Sequence, residues 1–157
     1  MTPTNVLFLT FLIGFLAGLR ALTPIAAIAW GAHLGWLQLR TPLSWLSSII
    51  AAVFFSVLAV GELVTDKLPK TPSRTAPPGF IARILMGALG GTCIAMAGGA
   101  GTAFGALMGI VGAVAGTLGG YHARKGLVKA LGSPDFVVAL IEDVITIGGS
   151  FLLVSRF

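Results

Sequence analysis

The chain has 157 residues, of which 56% are hydrophobic and only 10% charged, against roughly a quarter charged in an ordinary soluble domain. Its mean hydropathy is +0.99, which excludes a disordered chain and argues against a water-soluble globule. The net charge of +5 comes from basic residues scattered between apolar runs, so membrane topology explains it better than nucleic acid does.

The first apolar run has no Lys or Arg before Arg20, so it lacks the basic start of a secretory signal. It reads as a retained span over about 5–30, with a kink or break near Leu22–Pro24. The polar stretch 31–41 holds His33, Trp36 and Arg40, residues suited to a water–lipid boundary. Pro42 opens a second span over about 43–66. The stretch 67–79 is the strongly polar one, and Pro69, Pro72, Pro77 and Pro78 deny it a long helix. A third span covers about 80–98, followed by a turn at Gly98–Gly101. The fourth covers about 102–122 and can continue to Leu131, and Gly132-Ser133-Pro134 ends it. The fifth covers about 135–154. The expectation is one all-α transmembrane domain, residues 1–157, with five spans.

Under five spans, Lys67, Lys70, Arg74, Arg83, Arg124, Lys125 and Lys129 share the N-terminal side, and only Arg40 and Arg156 lie opposite. Positive residues favour the cytoplasm. The expectation is an inner, cytoplasmic-type membrane with the N-terminus inside and the C-terminus outside.

Two stretches resemble each other. Gly14-Phe15-Leu16-Ala17-Gly18-Leu19-Arg20-Ala21 parallels Gly116-Thr117-Leu118-Gly119-Gly120-Tyr121-His122-Ala123. Leu63-Val64-Thr65-Asp66 parallels Leu140-Ile141-Glu142-Asp143. Spans one and two would then repeat as spans four and five, inverted, around span three as connector. Transporters built this way place their site near the repeat interface at mid-membrane.

Gly18-Leu19-Arg20-Ala21 with Pro24, then Glu62-Leu63, Asp66-Lys67 and Pro69, then Glu142-Asp143, resemble the bacterial membrane family known as domain of unknown function 4126. The resemblance covers nearly the whole chain. It implies a compact multi-span protein and carries no activity.

Ionisable groups within a membrane are costly and face the protein interior. Arg20, Glu62, Asp66, Glu142 and Asp143 are therefore the candidate substrate or ion site. Lys67, His122 and Arg124 are secondary candidates. Glu62 and Asp66 share one helix face and would repel if unpaired. Glu142 and Asp143 point about 100° apart, so they cannot face one small site equally. Asp135 reads only as an acid at the start of the fifth span. Gly105, Gly109, Gly112, Gly116 and Gly120 form small-residue stripes that let helices approach closely. Cys93 reads as a buried thiol, no Cys/His metal cluster occurs, and no cofactor is implied.

The leading function is a proton- or ion-coupled transporter or channel for a small charged solute, with the bilayer and a second copy as partners and no nucleic acid. The alternatives are a membrane enzyme or binding protein for a lipid or isoprenoid phosphate, held by Arg20, Lys67, Arg74, Arg124 and Lys125, and a structural or accessory membrane protein.

Overall fold

The computed structural model describes residues 2–67, 75–132 and 134–157. Lys70 and Arg74 lie outside the described residues. The described residues form six α-helices in order: α1 Pro3–Leu19, α2 Thr23–His33, α3 Ile49–Thr65, α4 Pro77–Ala97, α5 Thr102–Leu131 and α6 Asp135–Val154. A short 3-10 turn at Ser44–Ser47 precedes α3, and no strand occurs among the described residues. α4, α5 and α6 are long and apolar enough to cross a membrane, and α1 and α3 are shorter apolar helices. This is the make-up of a membrane helical protein.

Local chemistry sets the boundaries. Pro3 stands in the first turn of α1, where its missing N–H costs nothing, and the Thr2 side chain caps the helix. The second apolar run starts its α-helix at Ile49 rather than just after Pro42, because Ser48 Oγ accepts from the Ala51 N–H, 3.1 Å away. Gly132 closes α5 in the left-handed conformation, φ 58°, which glycine adopts without a Cβ penalty. Gly98–Gly101 separates α4 from α5, with Gly99 at φ 70°.

The first apolar run is not one kinked span. It breaks at Arg20–Leu22, and α2 turns back on α1. Glu62, near the end of α3, bonds the N–H groups of Ala21 and Leu22. Farther along α2, Trp30 donates to Ser56 Oγ at 2.9 Å, and His33 pairs with the Ser47 carbonyl. The partners step backward, so α2 and α3 are antiparallel. α2 also runs alongside α6 in the same direction, with Arg20 at Asp143 and Gly31 at Val154. α1 runs against α6, with Leu16 beside Gly149.

This reversal corrects two expectations. The chain ends lie together, since Asn5 and Arg156 line one groove. The C-terminal ends of α3 and α5 lie at the other end of the bundle. The N-terminus is therefore not on the side of those basic segments. The inverted relation of spans one and four is not met either, because α1 and α5 run parallel: Gly14 meets Gly109, and Gly18 meets Ala113 and Gly116.

Glycines set that α1–α5 contact and the antiparallel α4–α5 contact beyond it. A Cβ on Gly116 would lie 2.1 Å from the Phe15 carbonyl, and one on Gly109 would lie 2.1 Å from the Gly87 carbonyl. No real Cβ survives such a contact, so the backbones touch directly. Gly105 and Gly112 face α4 and α1 in the same way. Gly120 instead lines a crevice. Thr117 ties the seam, its hydroxyl reaching the Gly18 and Ala113 carbonyls. α2 is almost wholly buried, and it packs on α3, α6 and α4.

The reversal predicts a labelling pattern. In a Cys93→Ala background, Thr4→Cys and Ser155→Cys react with a membrane-impermeant maleimide from the same side of the bilayer, and Lys125→Cys reacts from the other. Labelling of Thr4→Cys and Lys125→Cys from one side would contradict the α1–α2 hairpin.

Candidate functional site

The break after α1 leaves backbone donors that an apolar surrounding cannot hydrate. Glu62 supplies the acceptors. Its Oε1 lies 2.8 Å from the Ala21 N–H and its Oε2 lies 2.9 Å from the Leu22 N–H. The carboxylate thus sits at the start of α2, where the helix dipole favours negative charge. Glu62 and Asp66 do not repel as a bare pair, because each has its own partners.

Arg20, the residue at the break, is 0% exposed. Its guanidinium is planar and carries five donors, so it can serve several carboxylates at once. Its Nε donates to Asp143 Oδ1 at 2.8 Å, and its Nη1 pairs with Asp66 Oδ2. Its Nη2 lies 2.7 Å from Asp143 Oδ1 and 3.9 Å from Glu142 Oε2. Nη2 makes no aligned hydrogen bond among the described residues. Arg20 therefore joins α3 to α6 through one side chain. It also reaches both Glu142 and Asp143, although these point apart on their helix.

The network spreads outward from there. Lys67 Nζ reaches Asp143 Oδ2 at 2.5 Å. Arg124 Nη1 lies 3.0 Å from Asp66 Oδ2 and 3.7 Å from Glu142 Oε2. The other edge of Arg124 grips Asp135 in a two-bond fork, 2.8 and 2.6 Å. Arg83 of α4 is buried, with its Nη2 4.0 Å from Glu62 Oε1 and its Nη1 on the Gly79 carbonyl. All five acids of the chain thus meet Arg20, Lys67, Arg83 and Arg124 at one end of the bundle. The charges grade from buried Arg20 to Asp135, whose side chain is 61% exposed. No group that could hold a metal ion occurs among the described residues.

The five leading candidates are brought together, and Lys67 and Arg124 join them. His122 does not. It is exposed and makes an edge contact with Tyr121. The sequence reading missed Arg83 and gave Asp135 no part. Asp135 opens α6, and Arg83 falls near the start of the expected third span, where contact with water accounts for a charge without any partner. The available signal was the shortage of acids: five acids for ten bases, with every acid at one end.

Arg20 follows the 17 residues of α1, about 25 Å of helix, and Glu142 and Asp143 lie near the middle of α6. An apolar crevice of about 350 Å³ opens beside the network between α1, α5 and α6, with Arg124 and Glu142 on its wall.

The family model described as "Domain of unknown function (DUF4126)" matches residues 7–155. The chain belongs to this family. No curated protein and no solved structure matches the chain. What the DUF4126 chain does must therefore be read from the network itself.

Removing one partner of a buried ion pair strands the others, at a cost of about 3–5 kcal/mol. Arg20→Met is expected to lose that much in an unfolding titration in detergent. Asp143→Asn in the same chain should restore part of the loss. A loss below about 1 kcal/mol, the scale of a solvated surface pair, would contradict the buried hub.

Proposed function

We propose that the DUF4126 chain is a small ion-coupled membrane transporter whose charge network closes one end of the helix bundle. The observation that carries this reading is the wholly buried Arg20 held between Asp66, the C-terminal cap of α3, and Asp143 of α6. One side chain fastens two helices that otherwise meet through α2, on which both pack. Protonating either acid weakens the fastening, and so does a solute carboxylate that takes over the guanidinium. Each event is a local charge change acting on the contact between α3 and α6. The Nη2 group, lacking an aligned acceptor, is where a solute anion would enter. Asp66, Glu142 and Asp143 would face the cationic part of a zwitterionic solute.

The same network supports an orientation. Arg20, Lys67, Arg83, Arg124, Lys125 and Lys129 lie toward its end of the bundle, and Arg40 and Arg156 lie toward the other. By the positive-inside bias the network end faces the cytoplasm. Both chain ends then face outward.

The pairing of nearly every charge also favours a second reading, in which the network only fastens helices. One experiment separates the two. Purified protein in liposomes with an imposed pH gradient is screened against small amino acids, carboxylates and amines. Wild type should show solute-dependent proton flux. Asp66→Asn and Glu142→Gln should reduce it at least about tenfold, the scale of one lost charge-assisted contact, while remaining folded. No flux with any solute, together with lowered thermal stability of the variants, would leave the fastening role alone.

A further inference from the structure

At the end of the bundle away from the network, a groove of about 590 Å³ runs between α1 and α6. Phe8, Leu12, Leu16 and Leu152 line it, and Gly149 deepens it. A Cβ at Gly149 would touch only Leu16, at 3.4 Å. Phe15 and Ile145 line both this groove and the crevice beneath Arg124 and Glu142. The two spaces therefore follow one seam. From Asn5 to Leu19 the seam spans about 21 Å along α1. That exceeds the ~15 Å half-thickness of a bilayer core, so an ordinary lipid chain fits along it.

The mouth of the groove is polar. Asn5 and Arg156 line it, and both are exposed. The Arg156 side chain has no ion pair among the described residues. Glu142 is the acid on α6 whose carboxylate reaches the crevice, and along the helix it stands about 21 Å from Arg156. That is about twice the Debye length at ordinary salt. The guanidinium is thus a positive charge with no ion pair among the described residues, at the head of an apolar slot. The ligand complementary to it carries a phosphate on an acyl chain, and the apolar lining argues for a lipid over free phosphate. We propose that the α1–α6 seam binds one phosphate-bearing lipid, its chain in the groove and its phosphate on Arg156, with the Asn5 amide as a second donor.

The test is native mass spectrometry of the delipidated full chain in detergent. It is titrated with dioleoyl phosphatidic acid, dioleoylglycerol or inorganic phosphate. The expected result is one phosphatidic acid per chain, bound at least about tenfold more tightly than dioleoylglycerol, the scale of one charge-assisted pair. Arg156→Gln, an exposed change, should remove that preference while dioleoylglycerol still binds. Arg40→Gln should leave it intact. Gly149→Leu, which fills the groove, should weaken both lipids. Equal binding of the two lipids, an unchanged preference in Arg156→Gln, or inorganic phosphate binding as tightly as the lipid would overturn the proposal. So would disulfide cross-linking of Leu152→Cys between two copies with no lipid retained, because a second chain would then occupy the seam.

Discussion

A guanidinium without water must be surrounded by negative charge, and in this chain Arg20 imposes that condition on the end of α3 and on α6. It sits where the chain reverses between α1 and α2, so the reversal and the charge are stabilised together. Asp66 and Asp143 answer the charge, and Glu62 answers the exposed N–H groups of the turn. Arg83 and Arg124 then offset the excess of acid. Burying so many charges gives no large net stability by itself. What it provides is position: removing any member leaves another stranded.

The apolar packing complements this arrangement. Glycines bring α1, α4 and α5 to backbone contact, a fit that tolerates little motion. α6 packs more on α2 than on α1 or α5, and both crevices open along its looser side. α6 is joined to α3 by ions at one end and bordered by both crevices along its length. The crevice that opens beside the charges is the reason to read the network as a closure.

Much of this was legible in the sequence. Runs of apolar residues between Pro- and Gly-rich breaks marked α4, α5 and α6, and the 135–154 boundary of α6 coincides with the observed helix. Pro24 announced a break. The direction of the chain after the break was not legible, because hydropathy has no direction. At 11 residues, α2 also falls well short of the roughly 20 that mark a span, so its run merged with α1. That single merger put the N-terminus on the wrong side of the basic segments and made parallel helices look inverted. At the site, rarity did the work. A charge deep in an apolar run needs a partner, which flagged Arg20, Glu142 and Asp143. Arg83 and Asp135 escaped because a charge near the expected start of a span needs none.

The central claim is that Arg20 holds α3 against α6. Paired spin labels at Val64→Cys and Leu140→Cys, in a Cys93→Ala chain reconstituted in nanodiscs, report the separation of those two helices. Both positions are exposed and apolar, away from the ion pairs. Pulsed electron resonance should give one narrow distance with Arg20 present, and a longer, broader distribution with Arg20→Met. An identical narrow distance in both chains would mean that α3 and α6 are held by packing alone, and that the network closes nothing.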